Sequence, residues 1–306
     1  MQPVESTSLL LPPTTPPLRG SYVRKLFGFC LPCPFAPDAE SESGAGTRLS
    51  AADDNSDARP LRILCLHSFR TNAAILEAQM AMLGQSALFL SDDLATLSYL
   101  DAPHVADEDK VYEVIKRSFP FEQFGAHRHW WDAEAATGPY GGGGPAHVDL
   151  VGKDAALHLV EETLRQASPP FDGILGFSQG GCLAMWLATL QQRGMLDARV
   201  PPIKFLVIQS SRLPKDHSCV GLFDASLPKI ALPAFVSLNE DDGAVRPDET
   251  RALIAQLEKA VVVQRPRGGH SLMSVRSRGD ADAAHSLRSF LQAQQQCAGR
   301  VAGVGT

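Results

Sequence analysis

Cysteine is scarce in this chain, with six in 306 residues, too few for the disulfide framework that staples small secreted domains. Free thiols and a reducing compartment are the expectation. No stretch approaches the roughly 18 uncharged apolar residues that a membrane span needs. The apolar run Ser8 to Pro13 is too short for the core of a signal peptide. Positive charge is not in excess either. The 28 Lys and Arg stand against 34 Asp and Glu, and no long basic block is present to neutralise a phosphate backbone. Nucleic acid is therefore not an expected partner. No repeat of 20 to 50 residues is evident. These absences leave a soluble intracellular protein, expected in the cytoplasm, with the nucleus also open to it.

A hydrophobic content of 44% supplies material for a sizeable core. It is not spread evenly. Residues 1–60 are rich in Pro, Ser, Ala and acidic residues, with Pro12, Pro13, Pro16 and Pro17 opposing regular structure. This segment reads as a disordered extension. Its Cys30 and Cys33 form a lone CxxC, a weak metal or redox signal without a second pair, and it is read as inert. Residues 61–298 read as one α/β domain, and 299–306 as a flexible tail.

Within the domain, short apolar strands alternate with longer helical patterns, which predicts a mostly parallel sheet with helices on both faces. Strands are predicted at Leu61–Leu66, Thr96–Leu100, Gly173–Phe177, Phe205–Gln209, Ala234–Leu238 and Ala260–Gln264. Helices are predicted at Asn72–Leu83, Val148–Gln166, Gln179–Gln192, Pro247–Lys259 and Ala281–Gln296. Residues 103–147 break the rhythm. They carry Phe119, Phe121, Phe124, Trp130 and Trp131 before the glycine run 141–144. Two readings stand side by side: a lid or binding loop, or a long excursion whose rings pin it to the core.

The most informative window is Gly176-Phe177-Ser178-Gln179-Gly180, which matches G-x-S-x-G between a predicted strand and a predicted helix. A serine on so sharp a turn sits in strained backbone, and the flanking positions must lack a Cβ to avoid collision. The turn aims the hydroxyl above the sheet edge. It also puts the Gln179 amide at a helix N-terminus, where it can stabilise a developing oxyanion.

A serine hydroxyl is a poor nucleophile at neutral pH, so a histidine must take its proton and an acid must hold that histidine in the right tautomer. The turn after the strand ending at Leu238 offers Glu240, Asp241 and Asp242, which composition alone does not separate. Two histidines lie beyond it. His270 sits on a glycine-flanked loop after a strand, where a base can reach over the sheet edge, while His285 falls inside the last helix and reads as a surface residue. His67-Ser68-Phe69 ends the first buried strand, from which the second oxyanion amide comes in such folds; Phe69 is the candidate donor.

Taken together, these residues resemble the FSH group of serine hydrolases, whose pattern runs L-H-G-x-x-x-N, D-A-P, G-F-S-Q-G, S-D-x-x-V and G-G-H. This chain has Leu66 to Asn72, Asp101-Ala102-Pro103, Gly176 to Gly180, Asp241 to Val245, and Gly268-Gly269-His270 in that order. The resemblance covers roughly Leu61 to Gln296 and implies an α/β-hydrolase fold. It places Val245 three residues after the acid, which selects Asp242. It implies a Ser178, His270 and Asp242 triad acting on a carboxylic ester or thioester, with no cofactor and no metal. The expected partner is a small, apolar acyl substrate. The main departure is Ser68, where the family usually has glycine, and it bears on the backbone that presents the Phe69 amide. A catalytically silent α/β-hydrolase scaffold acting as a binding protein is the rival reading, with Ser68 as its one supporting feature.

Overall fold

In the computed structural model, residues 59–133, 148–219, 221–276 and 280–302 are described. The expected extension up to residue 58, its Cys30 and Cys33, the glycine run 141–144 and residues 303–306 lie outside the described residues.

The elements follow in chain order. Strand β1 (Leu61–Leu66) leads into helices α1 (Ala73–Met82) and α2 (Gln85–Leu90), then strand β2 (Ala95–Leu100). The long excursion holds the two-residue strands β3 (His104–Val105), β4 (Arg128–His129) and β5 (Asp132–Ala133), and the short helices α3 (Glu113–Ser118) and α4 (Phe121–Phe124). Next come β6 (Leu150–Val151), α5 (Lys153–Gln166), β7 (Gly173–Phe177), α6 (Gln179–Gln192) and β8 (Phe205–Gln209). The chain closes with β9 (Ala234–Asn239), α7 (Pro247–Ala255), β10 (Ala260–Arg265) and α8 (Ala281–Ala302).

Six strands form one sheet in the order β10-β9-β8-β7-β1-β2, and each neighbouring pair runs parallel. Strands buried on both faces need apolar residues on both, and they have them. On one face Leu64, Leu66, Ile174, Leu206 and Ile208 pack against Val160 and Leu164 of α5 and against α6. On the other, Ile63, Cys65, Leu175 and Val207 pack against Leu76 and Met80 of α1 and Leu287 and Leu291 of α8. Helix α6 is buried from Gly180 to Leu190, as a helix apolar all round must be. The mostly parallel sheet covered on both faces is the fold that the alternating pattern predicted.

From β1 the chain steps outward to β2, then returns to lay β7 on the opposite side of β1. Loops leaving β1 and β7 therefore diverge at their carboxyl ends. Such a switch point opens a crevice, which is where open α/β sheets bind ligands.

Several boundaries differ from the sequence reading, each for a tertiary reason. Asn72 is the cap of α1 rather than its first residue: its Oδ1 accepts from the Ile75 amide at 2.8 Å. Residues 148–151 are not helical. Val148 N donates to Lys215 O, Leu150 N donates to the Asp216 carboxylate, and Leu150–Val151 pair with Asp132–Ala133, so α5 begins only at Lys153. Helix α7 stops at Ala255 because Ile230 competes for the following backbone, accepting from Glu258 N and donating to Gln256 O. The rings of the excursion divide. Phe119, Trp130 and Trp131 are buried, and Trp131 packs edge-on against Trp186 of α6 at 6.0 Å, so they pin the segment to the core. Phe121 is exposed. No single described helix is long and apolar enough to cross a membrane.

Candidate active site

Strand β7 ends and α6 begins with one residue between them, so the chain turns from strand to helix at Ser178. The turn forces Ser178 to φ 54 and ψ −113, a left-handed backbone that costs a non-glycine residue about 1–3 kcal/mol and persists only where the surroundings impose it. Here they do. The Ser178 amide donates to Gln209 O on β8, and its carbonyl accepts from the Cys182 amide and the Ser211 hydroxyl. The crowding expected around the serine is present as well. A Cβ on Gly176 would lie 2.4 Å from the Gly180 carbonyl oxygen, and one on Gly180 would lie 2.1 Å from the Leu66 carbonyl oxygen. Neither obstacle is a flexible side chain, so both positions need glycine.

His270 arrives from the loop after β10. Its Nε2 lies 2.8 Å from Ser178 Oγ, and its Nδ1 lies 2.9 Å from Asp242 Oδ2. The imidazole stacks on Phe177 at 5.2 Å. The other Asp242 oxygen accepts from the Ala244 and Val245 amides, which leaves one carboxylate oxygen aimed at the histidine. The three acids that composition could not separate have three different partners. Asp242 meets His270, Asp241 accepts from the Gly269 amide at 2.8 Å, and Glu240 pairs with Arg251. His270 and Asp242 are buried, while Ser178 is partly open to solvent. His285 is exposed on α8.

Gln179 is the first residue of the 14-residue helix α6, so its amide lies among the unpaired N–H groups at the positive end of the helix dipole. Its side chain was not anticipated from sequence. The Oε1 accepts from the Trp130 amide and the Nε2 donates to the Trp131 carbonyl, which clamps the aromatic segment to the start of α6. Phe69 lies on the loop after β1, the strand directly beside β7. The Arg70 guanidinium covers its ring at 4.5 Å. Ser68 does not occupy the left-handed region; that conformation falls on Arg70, at φ 53. The backbone at 68 therefore makes no demand for glycine.

Behind the histidine loop is a polar lattice that carried no sequence signal. Asn239 donates to the Gly269 carbonyl at 2.7 Å and to Ser210 Oγ, and its own Oδ1 accepts from Arg265, which pairs with Asp280. These groups are buried and act on His270 only through its loop. Among the described residues no group of three His, Cys, Asp or Glu side chains is arranged to hold a metal ion.

Residues 56–275 match the family described as Serine hydrolase (FSH1). The chain is 30% identical over 217 residues to human Esterase OVCA2, covering 69% of this chain and 89% of that protein. It is 29% identical over 239 residues to Esterase CG5412 of Drosophila melanogaster, covering 76% and 77%. Among solved structures it is similar to a variant of SOBER1 from Arabidopsis thaliana, with TM-score 0.51, 20% identity and coverage of 77% and 99%. It is also similar to acyl-protein thioesterase 2 of Zea mays, with TM-score 0.50, 18% identity and coverage of 76% and 95%. At such identities these two likenesses speak for the fold. The family match spans most of the domain and takes in the segments that bear all five motifs, so the chain belongs to the Serine hydrolase (FSH1) family and is a hydrolase of α/β-hydrolase fold.

Proposed function

We propose that this hydrolase cleaves a carboxylic ester or thioester of a small apolar acyl group through a covalent acyl-enzyme. The observation that carries the reading is the unbroken line from Asp242 Oδ2 through His270 to Ser178 Oγ, with hydrogen bonds of 2.9 and 2.8 Å. Ser178 Oγ attacks the acyl carbonyl carbon as His270 Nε2 takes the hydroxyl proton. Asp242 holds Nδ1 protonated and stabilises the imidazolium. The oxyanion takes hydrogen bonds from the Gln179 and Phe69 amides. Collapse breaks the bond to the leaving alkoxide or thiolate, which receives the proton from His270. Water, deprotonated by His270, then attacks the acyl-Ser178 ester, and the carboxylic acid leaves with Ser178 restored.

The aromatic segment suggests an apolar substrate by its composition alone, since Trp130 and Trp131 are themselves buried in the core and the Gln179 side chain ties only their backbone to the start of α6. The positions of Ser68 and Arg70 weigh against the silent-scaffold reading, because the one departure from the family pattern does not strain the loop that carries Phe69.

Ser178→Ala is expected to abolish labelling by a fluorophosphonate probe and turnover of p-nitrophenyl esters, with the fold retained. Persistent labelling of that variant would overturn the assignment of the nucleophile. A series of p-nitrophenyl esters and acyl thioesters of rising chain length then sizes the acyl pocket. No turnover of any member by the native chain returns the scaffold reading.

A further inference from the structure

His67 is fully buried at the end of β1, a site where apolar side chains are the rule. Its surroundings explain why an imidazole is there. The Ala102 amide donates to Nε2 at 3.0 Å, so Nε2 carries no proton and Nδ1 does. That Nδ1–H donates to the Ser68 carbonyl at 2.7 Å. The Thr71 hydroxyl donates to the same carbonyl at 2.8 Å. The ring is also held from outside: Trp130 lies 5.1 Å from it, and the Trp130 indole N–H donates to the His67 carbonyl at 2.8 Å. One neutral imidazole thus ties the end of β2 to the Ser68 carbonyl.

The Ser68 carbonyl and the Phe69 N–H belong to the same planar trans peptide and point in opposite directions. Fixing the carbonyl fixes the amide. Two donors on that oxygen also polarise the peptide and make its N–H a stronger donor. We propose that His67 is a positioning residue for the oxyanion hole, its Nδ1–H acting with the Thr71 hydroxyl to hold the Ser68–Phe69 peptide so that the Phe69 amide meets the oxyanion. The proposal rests on the reading of Phe69 as an oxyanion donor. It extends that reading to two side chains that touch neither substrate nor Ser178. It also gives the backbone at Ala102 a part, since its amide sets the tautomer of His67.

Two variants separate the two ends of the ring. In His67→Asn the side-chain NH₂ replaces Nδ1 and keeps the bond to the Ser68 carbonyl, while the bond to Ala102 is lost. In His67→Gln the amide reaches the Nε2 position and keeps Ala102, while the bond to Ser68 is lost. Losing an oxyanion donor outright lowers kcat by roughly 10²–10³-fold. Losing only its support is expected to cost His67→Gln about 10- to 100-fold in kcat with KM little changed, and His67→Asn is expected to retain kcat within about threefold. A purely structural role predicts equal kcat per folded molecule in both variants, and that result overturns the proposal.

If His67→Gln does not fold, Thr71→Val removes the second donor, and an unchanged kcat in that variant overturns the proposal equally. The oxyanion reading is tested separately by placing the α-hydroxy acid analogue of phenylalanine at position 69, which replaces the peptide N–H by an ester oxygen. A large fall in kcat there, with equal His67 variants, removes only the role of His67. No fall removes Phe69 as a donor, and the role of His67 goes with it.

Discussion

At the scale of single residues, the acid turn makes the sharpest distinction. Asp241 and Asp242 are adjacent and chemically identical, yet one carboxylate holds a backbone amide and the other holds His270 Nδ1. Asp242→Asn keeps the shape but favours the wrong imidazole tautomer. On the proposed mechanism it is expected to lower kcat by roughly 10⁴-fold while the fold survives, as the same change does in known Ser-His-Asp enzymes. Asp241→Asn retains an oxygen that can accept from Gly269 and is expected to stay near native activity. Steady-state kinetics on one ester decide the matter, and similar losses in both variants would return the choice of acid to the open state in which composition left it.

At the scale of elements, the site is a junction between the end of β1 and the start of α6. These two pieces of backbone approach so closely that position 180 has no room for a methyl group beside the Leu66 carbonyl. The same approach brings the loop carrying Phe69 beside the turn carrying Ser178. Gly180→Ala pushes backbone against backbone, where neither side can rotate away, and overpacking of this kind costs about 1–3 kcal/mol or more. A lowered urea midpoint together with reduced probe labelling is expected. A native midpoint and native labelling would mean that the elements can separate without loss, contrary to the packing described.

For the whole molecule, buried ionisable groups predict how stability depends on pH. At the opposite end of the sheet from the site, burial would raise the carboxyl of Asp172. Hydrogen bonds from Arg59 and Lys204 and from the Arg62 amide outweigh it and depress the group from 3.8 to about 2. A depressed acid adds stability that is complete above its unfolded value and is lost as pH falls from about 4 to about 2. His67 adds a second interval. Burial, outweighing the Ser68 carbonyl and the charge of Asp101, lowers it from 6.5 to about 4. The unfolded chain then binds the extra proton, so stability also declines as pH falls from about 6.5 to about 4. Urea midpoints across this range should rise with pH. Asp172→Asn should flatten the acid limb and His67→Gln the upper one; a native pH profile in either variant would refute that residue's share.

Much of the candidate site was legible because local backbone chemistry writes it. The Ser178 turn needs glycines at fixed offsets, strand and helix periods bracket it, and five short motifs stand in order along the chain. The inner strands β1, β7, β8 and β9 were equally legible, since burial on both faces demands unbroken apolar runs. What the linear pattern did not contain was the set of partners drawn from distant segments. Residues 148–151 looked helical until bonds from Val148 and Leu150 to the 215–216 segment, and the pairing of Leu150–Val151 with Asp132–Ala133, claimed them. Asn239, Arg265 and Asp280 carried no signal, because their meaning lies in holding a loop that only folding brings near. Sequence alone determined the fold class and the G-x-S-x-G turn at Ser178, while composition left a small field of candidate acids that the family resemblance narrowed to Asp242. Tertiary structure decided how Asp242 and His270 meet and which tautomer His67 takes beneath the Ser68 carbonyl, because hydrogen bonds across 28 and 35 residues of chain depend on where strands end in space.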